Sequence, residues 1–139
     1  MILVDASGLV ANYDRGDAYH SDVDRILARP QRRILSPFVL AEVDYLVIKL
    51  AGQAAELALL WDVARGVYEL ETFSAVDVGA ARGIVERYSD LNLGLADASI
   101  VVLADRYRCQ DVLTLDQRHF RALRDSAGRA FRLFPWDAP

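Results

Sequence analysis

Short apolar runs alternate with longer stretches of helical periodicity along the chain. Ile2, Leu3 and Val4 form a continuous apolar run, as in a strand that a parallel sheet buries on both faces. Ser36 and Pro37 are typical of a helix start, because serine caps free N–H groups and proline fits the first helical position. This alternation predicts an α/β fold around a mostly parallel sheet of four to five strands.

The same pattern places the individual elements. The predicted strands are residues 2–4, 33–35, 68–73, 111–115 and, as an edge strand that Pro135 ends, 129–134. The predicted helices are residues 7–13, 17–28 with Asp17 as the cap, 38–51, 54–65, 74–88 and 96–107.

Length and composition indicate one domain over residues 1–139. The chain is 53% hydrophobic, which suffices for a substantial core, and its one cysteine, Cys109, cannot form an internal disulfide. We therefore expect Cys109 to be a small buried side chain in a reducing cytoplasm. The apolar run at residues 98–104 is far shorter than the roughly 20 residues that span a bilayer, and no leader pattern is visible, so no membrane association is expected.

The negative net charge does not exclude a nucleic-acid partner. The net charge is −4, but residues 101–139 contain seven arginines and five acids. Arginine makes planar, bidentate contacts with phosphate, so an acidic pocket with an arginine rim is compatible with RNA cleavage. Most of these arginines are expected to be solvated surface residues.

Four acids fall at corresponding places in the pattern. Asp5 directly follows the first strand and Asp116 the fourth, while Glu42 and Asp97 lie in early turns of helices that begin near the same edge. Open α/β sheets bind ligands at the carboxyl ends of their strands, so the four are expected to converge there. Glu42 lies in an apolar stretch, and a carboxylate buried there would need a partner.

A carboxylate cluster of this kind suits a hard divalent cation. Like charges repel, and Mg²⁺ relieves that repulsion, accepts carboxylate oxygens and activates a water for phosphodiester hydrolysis. The chain lacks the thiolates and paired histidines that zinc prefers. His20 and His119 stand apart in the sequence and are interpreted as surface or loop-packing residues.

Together these segments resemble the PIN-domain family, and within it the VapC-type toxins of toxin–antitoxin modules. The resemblance runs through residues 1–7, 35–43, 93–98, 112–120 and 131–135. It implies a three-layer α/β/α fold, RNA cleavage with Mg²⁺ or Mn²⁺, homodimerisation, and a cognate antitoxin that covers the site. By position it also implies the acidic quartet Asp5, Glu42, Asp97 and Asp116, with Ser7 and Thr114 as supporting hydroxyls.

Within that resemblance, Asp5 and Asp97 are expected to hold the principal metal, and Glu42 and Asp116 to complete its shell or hold a second ion. Either transfer RNA or ribosomal RNA could be the substrate, and DNA cleavage is a further possibility. The main alternative is a non-catalytic or regulatory RNA-binding PIN module. A haloacid-dehalogenase phosphotransferase would need an acid where Ser7 stands, and a receiver domain a late lysine, whereas the one lysine is Lys49.

Overall fold

A five-stranded sheet forms the centre of the protein. The structure, a computed structural model, describes residues 1–137, and within them every neighbouring pair of strands is parallel. The strands are β1 (Ile2–Val4), β2 (Arg33–Leu35), β3 (Glu69–Leu70), β4 (Asp111–Leu113) and β5 (Arg132–Phe134). Their order is β3-β2-β1-β4-β5, so the first strand of the chain is the central one.

Helices connect successive strands and cover the sheet. They are α1 (Ala6–Tyr13), α2 (His20–Leu27), α3 (Pro37–Ala51), α4 (Gln53–Ala64), α5 (Ala75–Arg87), α6 (Leu95–Tyr107) and α7 (Gln117–Ala122). Right-handed crossovers in this strand order place α1–α4 on one face of the sheet and α5–α7 on the other. The predicted three-layer α/β/α fold is therefore confirmed.

The core lies between the sheet and these helices. The three residues of β1 are buried, as the apolar run predicted, and Cys109 is buried beside the start of the strand. In α3 the buried residues are Val39, Val43 and Val47, which are spaced by four and form one face of the helix. Within residues 1–137, no helix is long and apolar enough to cross a bilayer.

The last three strands are shorter than predicted. β2 is three residues long because Ser36 already caps α3, so the ladder with β3 ends soon after Leu35. The segment before β5 is held in a turn instead, where Asp125 accepts the N–H groups of Ala127 and Arg129. The strands predicted at residues 68–73, 111–115 and 129–134 therefore shrink to residues 69–70, 111–113 and 132–134.

Two helix starts also differ from the prediction. Asp17 does not cap α2; its Oδ1 accepts the N–H of Tyr19 at 2.8 Å within a turn, and the helix begins at His20. The short helix α7 was not predicted. Asp116 caps α7 by accepting the N–H of His119 at 3.0 Å. The same acid therefore ends the segment that follows β4 and begins the helix.

A buried polar contact joins the starts of α3 and α6. Ser36 Oγ accepts the N–H of Phe38 at 3.2 Å as the cap of α3. Ser99 Oγ lies 2.6 Å from Ser36 Oγ and 2.6 Å from the carbonyl oxygen of Ala96, in the first turn of α6. The two helices that carry Glu42 and Asp97 are thereby held together at the ends that face the sheet edge.

A close approach of α1 to β4 gives a first prediction. A β-carbon at Gly8 would lie 2.8 Å from Leu113 Cγ and 2.9 Å from its carbonyl oxygen. Gly8→Ala should therefore lower the free energy of unfolding by at least about 1 kcal/mol in urea titrations, because α1 must shift off the sheet. Gly79→Ala in α5 is the matched control: nothing lies within 4 Å, and it should gain about 0.5–1 kcal/mol. Equal stability of Gly8→Ala and wild type would contradict this packing.

Candidate active site

Asp5 is the buried centre of the site. It follows β1 at the carboxyl edge of the central strand, and only 4% of the residue is exposed. Its Oδ2 accepts hydrogen bonds from Ser7 Oγ at 2.6 Å and from Thr114 Oγ1 at 2.8 Å. Burial raises the pKa of Asp5 above its ordinary value, while the two hydroxyl hydrogen bonds oppose that rise.

The two hydroxyls fix Asp5 to the end of β4. Ser7 Oγ accepts the N–H of Leu115 at 2.8 Å, and Thr114 Oγ1 accepts the N–H of Asp116 at 2.9 Å. Because each hydroxyl bonds both the carboxylate and the backbone beyond β4, the separation between Asp5 and the β4 connection is determined by direct contacts. Ser7 and Thr114 therefore lie where supporting hydroxyls were expected, in contact with the first acid.

Asp97 shares the charge environment of the other three acids. It lies in the first turn of α6, and its side chain is 19% exposed. Burial raises the pKa of Asp97 to about 6, and the negative charges of Asp5, Asp116 and Glu42 contribute, whereas His119 lowers it. The predicted quartet is thus brought to one edge of the sheet, where its members repel one another.

Glu42 is placed differently from the sequence interpretation. The buried stripe of α3 passes through Val39 and Val43, and this leaves Glu42 exposed rather than buried in an apolar surrounding. Within residues 1–137 it forms no hydrogen bond or ion pair. Partial desolvation and the charge of Asp5 still raise the pKa of Glu42, so the two carboxylates repel each other.

His119 is a member of the site that the sequence analysis missed. Its Nδ1 lies 3.0 Å from Asp116 Oδ2 and 3.3 Å from Asp97 Oδ2, so its interpretation as a surface or loop-packing residue is wrong. The available signal was its spacing of three residues from Asp116, which places both on one face of a helical turn. His20, in contrast, packs as expected, with Nδ1 2.9 Å from the carbonyl oxygen of Ala11.

The four carboxylates are chemically suited to a hard divalent cation, but they lie too far apart to bind one directly. Within residues 1–137, no three His, Cys, Asp or Glu side chains lie close enough to hold an ion directly. The four carboxylates nevertheless form no ion pair with any arginine or lysine of that range, and buried His119 Nδ1 makes no aligned hydrogen bond. Oxygen donors with uncompensated negative charge are the ligands that Mg²⁺ and Mn²⁺ prefer.

The raised pKa of Asp97 predicts how the metal-free protein responds to pH. An aspartate titrates near 4 in an unfolded chain, and Asp97 at about 6 in the folded one, so this group destabilises the fold as the pH rises from 4 to 6.5. In EDTA, Asp97→Asn should therefore melt about 3 °C above wild type at pH 7 and approach it at pH 4. Asp24→Asn on the exposed side of α2 is the control, because Asp24 forms no ion pair within residues 1–137, and it should melt like wild type at both pH values; an equal offset of Asp97→Asn at both pH values would contradict the repulsion.

Similarity searches add relatives to this geometry. The family model of the PIN domain matches residues 2–125. The chain is 42% identical over 135 residues to ribonuclease VapC26 of Mycobacterium tuberculosis (strain ATCC 25618 / H37Rv). The matched region covers 96% of this chain and all of the relative.

Two solved structures share the fold. Mycobacterium tuberculosis VapC20, a sarcin–ricin-loop-cleaving toxin, superposes with a TM-score of 0.78 at 24% identity, over 85% of this chain and 92% of that one. VapBC2 from Rickettsia felis, bound to a DNA fragment from its promoter, gives a TM-score of 0.67 at 18% identity over 96% and 99%. Because the family model and the 42%-identical relative both span most of the sequence, the chain belongs to the PIN-domain family, and within it to the VapC proteins.

Proposed function

We propose that this chain is a Mg²⁺-dependent endoribonuclease and the toxin component of a toxin–antitoxin module. The observation that carries the proposal is the meeting of four carboxylates at one sheet edge, where burial and mutual repulsion raise the pKa of Asp97 to about 6. Mn²⁺ would serve as a substitute, since it accepts the same oxygen donors. The ribonuclease name of the 42%-identical relative supports the same reaction class.

The acids have different roles in this proposal. Asp5 and Asp97 would hold the principal cation, while Glu42 and Asp116 complete its shell or hold a second one. When bound, such a cation acidifies a water ligand and offsets the charge that develops on the leaving 3′-oxygen. Ser7 and Thr114 keep the Asp5 carboxylate in one orientation through Oδ2.

Structured RNA is the proposed substrate class, as either ribosomal or transfer RNA. VapC20, which shares the fold, is a sarcin–ricin-loop-cleaving toxin, and proteins that recognise RNA loops read shape and exposed bases. The net charge of −4 would repel RNA, so cations bound at the acids would be needed to bring a phosphate close to them. Arginines of the last 39 residues would supply the remaining phosphate contacts.

A cleft beside α4 is the proposed site of the antitoxin; it lies at the ends of α1 and α3 that are distant from Asp5 and Glu42, so a partner seated there would not cover the acids as the family resemblance implies. Its volume is about 810 Å³, and it lies between the end of α1 with the following loop, the start of α2, and the α3–α4 connection. Its apolar wall comprises Leu50, Ala51, Ala54, Ala55 and Ala58. Small side chains at this spacing leave room for the apolar face of a partner helix. The Rickettsia felis structure with this fold, a VapBC complex, supports a protein partner.

The outer face of the α3–α4 hairpin is the proposed homodimer surface. It exposes large apolar side chains that a solitary domain would leave in water, namely Tyr45, Ile48, Leu57, Leu60 and Trp61. Several exposed large apolar side chains on one pair of helices are typical of a protein interface.

The catalytic assignment predicts a loss of cleavage when the central acid becomes neutral. Asp5→Asn preserves the shape and can still accept hydrogen bonds from Ser7 and Thr114, but it removes the charge that attracts the cation. Cleavage of a structured RNA in Mg²⁺ should fall by more than about 100-fold, beyond the cost of changes outside the ligand shell. The circular dichroism spectrum should be unchanged, and Asp22→Asn should cleave at the wild-type rate.

Two outcomes would redirect this proposal. Wild-type cleavage by Asp5→Asn would show that the acid is not a metal ligand. Cleavage that survives EDTA and does not depend on added Mg²⁺ would contradict the metal requirement. RNA binding in a gel shift without any cleavage, by a protein that is folded and free of antitoxin, would instead favour the regulatory RNA-binding module.

The dimer surface predicts the effect of a buried charge. Trp61 is 67% exposed on the hairpin, and Trp61→Glu would place an unpaired carboxylate within the proposed interface. The dimer dissociation constant from analytical ultracentrifugation should rise at least about 30-fold. Val76→Glu is the control, because Val76 is 82% exposed in α5, away from the hairpin. If both variants dimerise like wild type, the interface lies elsewhere.

A further inference from the structure

His119 holds Asp116 at both of its carboxylate oxygens. The backbone N–H of His119 donates to Asp116 Oδ1 at 3.0 Å, and the imidazole Nδ1 lies 3.0 Å from Oδ2. The backbone of His119 therefore bonds one oxygen of this carboxylate, and its ring nitrogen lies within contact distance of the other.

The same imidazole reaches across to α6. Nδ1 lies 3.3 Å from Asp97 Oδ2, and it is buried without an aligned hydrogen bond to any single partner. A buried ring nitrogen without a partner is costly, whereas a nitrogen shared between two carboxylates is compensated by both. The two distances thus place Nδ1 between the acids, in contact with both and hydrogen-bonded to neither.

We infer that His119 is a positioning residue that holds the carboxylates of Asp97 and Asp116 side by side, so that both carboxylates are presented together to a cation. This inference rests on the proposed function. It assigns a task that the four acids cannot perform alone, because two carboxylates from different helices repel and would otherwise rotate apart. Nδ1 faces Asp97 and Asp116, and the charges of Asp5 and Glu42 also bear on the site.

Metal affinity without RNA tests the inference directly. Mn²⁺ alone is titrated into the purified full chain and followed by calorimetry and by electron paramagnetic resonance. Partners outside a metal's ligand shell are typically worth about 10- to 100-fold in affinity, so His119→Ala should raise the Mn²⁺ Kd by that factor. His119→Asn, whose amide N–H can reach the place of Nδ1, should restore most of the affinity. Gln117→Ala, exposed on the same helix, should bind like wild type.

A kinetic readout separates positioning from a general loss of structure. In His119→Ala the four acids remain, so the Mn²⁺ concentration for half-maximal RNA cleavage should rise while kcat at saturating Mn²⁺ stays near wild type. A merely structural role would lower kcat at every concentration. If His119→Ala fails to fold, His119→Gln, which fills the space but moves the amide by one bond, replaces it in both measurements.

Each outcome decides the inference. An unchanged Mn²⁺ Kd in folded His119→Ala overturns it, as does a failure of His119→Asn to recover any affinity. A ¹⁴N modulation of the Mn²⁺ resonance in wild type that His119→Ala abolishes would make His119 a ligand, and the positioning role would be wrong. Wild type that binds no Mn²⁺ overturns this inference together with the metal requirement. Histidine-dependent binding without RNA cleavage leaves the inference standing and rejects the proposed ribonuclease.

Discussion

Repulsion between like charges at one edge of a parallel sheet is the constraint on which the site depends. Because the strands all run in one direction, each strand-to-helix junction at that edge delivers its side chain to the same region. The central strand leads to Asp5 and its neighbour β4 to Asp116. Glu42 lies on α3, which follows β2, and Asp97 lies in the first turn of α6, the helix before β4. The topology that builds the core therefore also concentrates negative charge, and the surrounding residues must compensate for it.

That compensation comes from hydrogen-bond donors rather than from ion pairs with basic side chains. Asp5 accepts hydrogen bonds from two hydroxyls, and Asp116 accepts one from the backbone N–H of His119, whose ring nitrogen lies close by without an aligned hydrogen bond. Arginines form their ion pairs elsewhere in the described chain, for example Arg132 with Asp111. An arginine beside the acids would stabilise the fold further, but it would also occupy the oxygens that a cation needs. The site accordingly keeps its negative charge at some cost to stability.

The sequence was informative where a local pattern determines the outcome. Acids at strand-to-helix junctions, the cap at Ser36 and the buried first strand all depend on a few neighbouring residues. The orientation of Glu42 was not predictable in this way, because it depends on which face of α3 meets the core. His119 was missed for a similar reason: its partner Asp97 is distant in sequence, and α7 has only six residues. The ends of the strands were not predictable either, because each strand can pair only as far as its neighbouring strand extends.

The four acids are also held with different rigidity. Asp5 is buried and bonded by side chains from two elements, whereas Glu42 is exposed and unbonded within residues 1–137. Charges of one sign that share a region settle at separations that their repulsion sets, which agrees with the absence, in the same range, of three side chains at ligand distance. A cation bound between the carboxylates would attract them, whereas without it they repel one another. Because Asp5 is fixed by its hydrogen bonds and Glu42 is not, Glu42 could move toward a bound cation while Asp5 keeps its place. The backbone would then not need to move.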